Sequence, residues 1–502
     1  MTTIAEYNAA LEKTKAENVL LEKQRESLEL ENRLLREKIH LLQYRQFGKS
    51  AEGLSSEVQE LLFAVPEVLA PEIDTEAEIE VKAHTKKKPG RKGLPKDLPR
   101  EEIIIDLPEQ EKICSIHNSP LKKIGDERSE ALKFTPATYK ILETVRPKYL
   151  CECCEEKKVF IAPVPEKLIP RSIVTPELLA HITLSKFCDH LPLYRQESIF
   201  LRDGIDISRT SMASWLVKLG EAFVPLMNLL QEKLIAGDYI SCDETPLRVL
   251  TEDGKPVKSL HYLWVRGRPP EFGKPIYIFE YANSRRAEVA KEILEDFAGY
   301  LQVDQYIAYD SAVKKYNLIK VGCFAHVRRK FHEAEKVMKG KASIPGRALA
   351  LIAKIYKIKD EVLKLPEEVR TFERKTRSAP LMAELKLFIE DARRKVPPQS
   401  AIGKAITYTI NAWEYLENIF LDHRIKLDNN LTENSIRPIA IGRKNYLFCY
   451  SKEGAEASAR IYSLLATAKA NGLDLKSYMV KLIDQLPKAK TIDDYEALLP
   501  LA

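Results

Sequence analysis

The 502-residue chain contains no apolar run approaching the roughly 18 residues that a membrane-crossing helix requires. Its first residues, MTTIAEYNAALEK, lack the charged segment and apolar core of a secretory leader, so no such signal is expected there. A strong charge of one sign is missing too. The 79 basic residues stand against 73 acidic ones and leave +6, so any polyanionic partner must be met by local patches. Cysteine is scarce and uneven: of eight, four are Cys114, Cys151, Cys153 and Cys154. That clustering fits metal binding plus buried thiols in a reducing cytosol better than a disulfide framework. What is plentiful is apolar character, 45% of residues, enough to bury the cores of several domains.

Proline and glycine are absent from Ile4 to Leu42, and a seven-residue beat runs through this segment. With Ile4 at an a position, Leu21, Leu28, Leu35 and Leu42 fall at d, and Asn18 and Asn32 at a. Asparagine at a costs stability but selects register and strand number, so residues 1–47 are expected to form a leucine-zipper-like coiled coil and a homodimer. Residues 48–100 form a linker, closing on KKKPGRKGLPKDLPR. There Lys86, Lys87, Lys88, Arg91 and Lys92 make a compact cationic tether suited to phosphates. In 101–165, Cys114-x2-His117 and Cys151-x2-Cys154 offer four ligands in two knuckles, as a structural Zn²⁺ requires, with Cys153 a rival to Cys154.

Residues 166–236 turn helical. Gly204 stands where two helices need a tight turn, and Ser208 suits the cap of the next helix, which opens with Arg209, Thr210 and Ser211. In a helix-turn-helix those three would meet base edges. From 237 to 332 the texture becomes β-branched and aromatic. DYISCDETPLRVL, SLHYLWVRG and KPIYIFEYA read as three strands, RRAEVAKEILEDFAG as a helix and YLQVDQYIAY as a fourth strand. That order opens a ribonuclease-H-like fold. It sets Asp243 in the first strand and Asp304 in the fourth, and a half-buried carboxylate on a strand is costly unless paired or metal-bound.

A helix-patterned insertion, 333–420, separates these strands from 421–475, where DNNLTENSIRPIAIGRKNYLF carries Glu433. Its asparagines suit a helix cap, and Arg437, Arg443 and Lys444 suit phosphates. A helical tail, 476–502, ends the chain. Three carboxylates, Asp243, Asp304 and Glu433, could hold two Mg²⁺ or Mn²⁺ ions. The expected whole is a multidomain α+β chain: coiled coil, zinc-binding domain, helix-turn-helix, then a ribonuclease-H-like α/β catalytic domain interrupted by a helical insertion.

The motifs FGKSAE, PGRK, RPKYLC, SKFCDHLPLYRQ, DETP, LQVDQY, CFAHVRRKF and DNNLTENSIRPIAIGRKNYLF, in this order, resemble the transposases of the insertion sequence 66 family. The resemblance runs over nearly the whole length. It implies a DDE, retroviral-integrase-like catalytic domain with Asp243 and Asp304 as the two aspartates and Glu433 as the glutamate. It also implies a role for Cys323 and His326 in CFAH. With no second pair nearby, zinc is rejected there; His326 is expected to orient a carboxylate or phosphate, and Cys323 to pack. The chain departs from the family at His117, where a second cysteine is usual, and at Gln305, where glycine is common. The implied activity is binding of terminal inverted repeats, strand cleavage and strand transfer in DNA transposition. The implied setting is the bacterial cytoplasm at the nucleoid, without membrane, and with accessory proteins encoded in the same element. No positioned nucleophilic Ser or Tyr calls for a covalent intermediate. The alternatives are a catalytically inert DNA-binding regulator and a metal-dependent hydrolase that degrades nucleic acid.

Overall fold

The computed structural model describes residues 15, 18, 21–39, 139–150, 159–252, 260–337 and 343–501. The basic tether and all four knuckle ligands, Cys114, His117, Cys151 and Cys154, lie outside them, as do Cys153 and Leu42. The chain divides into two compact units, 72–164 and the remainder. In the smaller, β1 (Lys148–Leu150) pairs antiparallel with β2 (Val159–Ile161), Tyr149 opposite Phe160.

In the larger unit, 21–39 is helical, and Leu21, Leu28 and Leu35 are 60%, 59% and 50% exposed. The apolar stripe of the seven-residue beat therefore faces outward along this segment. Four helices precede the sheet: α1 (Pro176–Phe187), α2 (Leu193–Arg202), α3 (Arg209–Ala222) and α4 (Val224–Ile235). Two of these starts are capped by a side chain. Thr175 accepts from the Leu178 amide with Pro176 at the first helical position, and Ser208 accepts from Ser211. Gly204, at φ +78°, makes the left-handed turn between α2 and α3.

The central sheet consists of β3 (Tyr239–Thr251), β4 (Leu260–Arg268), β5 (Ile276–Ala282), β6 (Tyr300–Gln302) and β7 (Ile319–Val321), in the spatial order β5-β4-β3-β6-β7. β3, β4 and β5 form an antiparallel meander, whereas β6 and β7 add in parallel. Parallel strands need crossovers, and α5 (Ala287–Ile293) and α6 (Ala308–Tyr316) supply them. The fourth strand is shorter than its β-rich sequence suggests. Asp304 accepts from the Tyr306 amide two residues on, a local turn that ends the strand and lets α6 start at Ala308.

After β7 the chain enters α7 (Phe324–Val337), α8 (Ile344–Val362), α9 (Glu367–Lys395) and α10 (Ala401–Glu417). These helices enclose their own core around Phe324, Phe331, Ile352, Leu385, Ile406 and Leu416, continuous with Val321 and Tyr239 of the sheet. The chain then returns to α11 (Asn430–Tyr446), a short β8 (Cys449–Ser451) paired with the far end of β3, α12 (Lys452–Ala470), α13 (Leu475–Gln485) and α14 (Ile492–Glu496). The larger core lies between the sheet and α1–α4, α12 and α13, with Trp264, Phe279, Leu219, Leu464 and Leu482 among its buried members.

β5 is the sheet edge, yet it is not open. α12 lies along it: Ser463 Oγ accepts from the Phe279 amide at 2.8 Å and Thr467 Oγ1 from the Tyr277 amide at 3.0 Å. The hydroxyls take the place of a further strand's carbonyls and close an edge that would otherwise invite pairing with another chain. α12 also crosses α3 at van der Waals limit, where a Cβ on Gly220 would stand 2.4 Å from the Cβ of Ala457.

Candidate active site

β3 and β6 run parallel, with Ser241 opposite Gln302. Asp243 and Asp304 follow two residues beyond that pair on each side, Asp243 still within β3 and Asp304 just past the end of β6, close enough for the charge of Asp304 to act on Asp243. Backbone amides pin one oxygen of each. The Glu244 amide donates to Asp243 Oδ1 at 2.9 Å, and the Tyr306 amide to Asp304 Oδ1 at 2.8 Å.

Glu433 sits in the first turn of α11, its side chain 18% exposed. Its Oε2 accepts from Arg329 Nη2 at 3.2 Å, and its Oε1 lies 3.6 Å from His326 Nδ1. Oε1 and Nδ1 are both buried without a hydrogen-bond partner. Burial pushes the Asp243 carboxyl well above the usual carboxylate range, and the negative charges of Glu433, Glu244 and Asp304, in that order, push it further. Burial also lowers the His326 pKa, overriding the opposing pull of Glu433, which leaves a neutral imidazole at pH 7.

Among the described residues, the one group of three ligand-type side chains whose atoms all fall within 4.8 Å is Cys323, His326 and Glu433. Asp243 and Asp304 stand outside it. Glu433 thus reaches Asp243 electrostatically while its carboxylate contacts α7. Cys323 does more than pack, because its Sγ accepts from the Asn429 amide at 3.3 Å.

The asparagines before Glu433 are not helix caps. Asn429 is 4% exposed, makes no side-chain cap and donates instead from Nδ2 to the Cys242 carbonyl at 3.0 Å. A burial site next to a strand carbonyl outcompetes the cap, and the bond fastens α11 to β3 beside Asp243. Arg443 is likewise tied to β3, donating to Thr245 Oγ1 at 3.1 Å and to the Pro246 carbonyl. Arg437 is half-buried and Lys444 exposed on the same helix. Farther back, Arg209 and Thr210 are exposed and Ser211 half-exposed at the start of α3, where the Arg209 amide donates to Glu197.

Sequence reasoning missed Glu244. Its side chain is 2% exposed, paired with Arg285 and accepting from Tyr309 Oη at 2.6 Å. Arg285 also stacks on Tyr306, 3.8 Å from the ring centroid. Only adjacency to Asp243 hinted at it. Arg329, two turns along from the CFAH motif's start, was also missed, since a basic helix face looks like any solvated one.

The Transposase IS66 family model matches residues 171–457. Further models match around it: Transposase C of IS166 homeodomain at 34–103, the zinc-finger binding domain of transposase IS66 at 111–155, and the IS66 C-terminal element at 463–501. Among relatives, the uncharacterized protein y4jD of Sinorhizobium fredii is 34% identical over 423 residues, covering 81% of each chain. The uncharacterized protein y4qI of the same organism is 32% identical over 477 residues, 92% of this chain and 87% of its own. No helix among the described residues is long and apolar enough to cross a membrane. Since the first model spans more than half of the chain, the protein belongs to the IS66 family of transposases.

Proposed function

We propose that the protein cleaves the ends of an insertion sequence and joins the freed 3′ ends to target DNA, using Asp243, Asp304 and Glu433 as the metal-binding carboxylates of a ribonuclease-H-like domain. The observation that supports this reading is the parallel register of β3 and β6, in which Ser241 faces Gln302 two residues before each aspartate, together with the charges of Glu433 and Asp304 that act on Asp243. The strand order β5-β4-β3-β6-β7 supports the same fold assignment.

The donor set fits hard divalent cations such as Mg²⁺ or Mn²⁺. Asp243 is raised by burial and by three other carboxylates, and a cation would relieve that crowding. When bound, the ions supply Lewis-acid activation of the attacking water or 3′-hydroxyl and charge relief at the leaving oxygen. The chain's own residues do the positioning. The Glu244 and Tyr306 amides fix one oxygen of each aspartate and so orient the other. Asn429 holds the start of α11 against β3, and Arg329 anchors Glu433 from α7. Arg437 and Lys444 supply positive charge along α11 for the DNA backbone. Arg209, Thr210 and Ser211 are exposed enough to read the element's end, and the tether Lys86, Lys87, Lys88, Arg91 and Lys92 adds sequence-independent affinity. Leu21, Leu28 and Leu35 offer the seam of a dimer, and the knuckle ligands Cys114, His117, Cys151 and Cys154 suit a structural Zn²⁺.

The test is cleavage and joining of DNA bearing the element's ends, with Mg²⁺, by the full chain and by Glu433→Gln. Loss of both steps, with folding and end binding retained, is expected. Joining by Glu433→Gln at the parent rate would refute the assignment. Nicking without end preference would favour a degradative hydrolase, and binding without cleavage an inert regulator.

A further inference from the structure

We propose that Cys323, His326 and Glu433 form a second metal site, selective for a thiolate-preferring ion such as Zn²⁺, which competes for Glu433 with the carboxylate site. Its ion binding stands independently; the competition rests on the reading of Glu433 as a catalytic ligand. The absence of a second Cys or His pair argued against zinc at CFAH, but the fold brings the missing ligand from residue 433. Cys323 lies two residues past β7, just before α7, and His326 occupies the first turn of that helix, a strand-to-helix step that brings both side chains to one cluster. α11 delivers Glu433 to the same point.

Three features make this a built site. The ligand atoms of all three residues lie within 4.8 Å of one another. His326 Nδ1 and Glu433 Oε1, 3.6 Å apart, are buried and lack hydrogen-bond partners, so the structure carries two polar atoms unsatisfied in the protein alone. Their separation is close to the edge of about 3.3 Å that zinc–nitrogen and zinc–oxygen bonds of about 2.0–2.1 Å subtend in a tetrahedron. Arg329 engages only Oε2 of Glu433, which leaves Oε1 to the ion while offsetting some of its attraction for a cation. On binding, the Cys323 thiol loses its proton to solvent, the S–metal bond forms, and the Asn429 amide remains a donor to the sulfur. One position stays open for water.

The ligand chemistry separates the two sites. Mg²⁺ prefers oxygen donors and disregards a thiol, whereas Zn²⁺ favours the sulfur and imidazole pair. Zinc held there would occupy Glu433 Oε1 and so withhold that oxygen from an ion at the carboxylate site. Free zinc would then slow a magnesium-supported reaction without touching either aspartate.

The experiment is titration of the full-length protein with Co²⁺ as a spectroscopic probe, comparing the parent with Cys323→Ser and Glu433→Gln. Thiolate ligands outside this site are the same in all three proteins and cancel. Expected is one more Co²⁺ per chain in the parent than in Cys323→Ser, with a matching loss of sulfur-to-cobalt charge-transfer absorption. Glu433→Gln, which changes no volume, should keep the band but weaken the extra site by about tenfold or more. Equal stoichiometry and equal thiolate absorption in the parent and Cys323→Ser would overturn the proposal. Should Cys323→Ser not fold, Glu433→Gln binding Co²⁺ as tightly as the parent would overturn it alone. A second arm measures Mg²⁺-supported cleavage against rising Zn²⁺: inhibition of the parent and resistance of Cys323→Ser support competition. A cobalt signal with no cleavage by any protein would leave the site standing and fault the nuclease reading instead.

Discussion

Replacing Thr467 with Val and Ser463 with Ala would strip the hydroxyls from the sheet edge while leaving the shape of α12 nearly unchanged. Both residues are fully buried. Thr467 accepts from the Tyr277 amide at 3.0 Å and lies 3.1 Å from the Tyr277 carbonyl; Ser463 accepts from the Phe279 amide at 2.8 Å while donating to Ala459 at 2.8 Å. Each change orphans one backbone N–H in a place water cannot reach. An unsatisfied buried donor costs about 1–3 kcal/mol, so each single variant should lose about that much and the pair about 2–6 kcal/mol. The two sites are one helical turn apart and address alternate residues of one strand, so some coupling is expected. Urea denaturation followed by tryptophan fluorescence, to which Trp264 on the neighbouring strand contributes, would measure the loss. Ser458→Ala is the control, since its hydroxyl donates back along its own helix, to Gly454 at 2.7 Å, and meets the Cys449 thiol of β8 rather than the β5 edge. If the double variant were as stable as this control, helix hydroxyls would not be what closes the edge. If the reasoning holds, the double variant should also self-associate more readily as β5 becomes available.

Gly220→Ala would force a Cβ to within 2.4 Å of the Ala457 Cβ and 2.5 Å of its Cα. The helices must part, at a cost of about 1–3 kcal/mol in thermal or urea unfolding. Ala457→Gly should fail to rescue it, because the backbone contact persists. The Asp422 carboxyl supplies a pH signature: burial favours raising its pKa, but hydrogen bonds from the Arg424 side chain and amide prevail and hold it below the usual value. Its contribution is therefore present above the unfolded-state value of about 3.9 and lost as pH falls through the lower folded one. Arg424→Leu should cost about 1 kcal/mol at pH 7, a gap that narrows at pH 3 in urea titrations at both pH values.

The legible parts of this molecule were those with local causes. Ser208 and Gly204 announced α3, and β-branched runs announced β3, β4 and β5, because caps, turns and strand periodicity act within a few residues. Asp243 and Asp304 stood out as acids amid apolar strands. Roles created by long-range packing were not legible. Ser463 and Thr467 look like any small polar residues on a helix until a strand lies against them. Asn429 resembled a cap until Cys242 offered its carbonyl. Glu244 drew no notice in the sequence, yet Arg285 and Tyr309, 41 and 65 residues away, enclose it. Cys323 and His326 lacked partners in sequence because the nearest ligand-type neighbour, Glu433, arrives from across the insertion. The zipper, tether and knuckle readings rest wholly or partly on residues outside those described.

The helical insertion leaves the sheet and comes back to it at almost the same point. The Gly322 amide donates to Tyr415, the Phe324 amide to Leu427, and Gln302 Nε2 lies 3.0 Å from both the Gly322 and Lys426 carbonyls. The buried glutamine beside Asp304 thus acts as a staple across both ends of a detour about a hundred residues long. Variation in the outer helices can be absorbed without disturbing how the ends meet, so this region is free to diverge in length and surface while the acidic residues keep their spacing. Deleting it outright is another matter, for Val321 and Phe324 would lose their cover. The detour is thus open to redesign at its far tips and closed to it at its base.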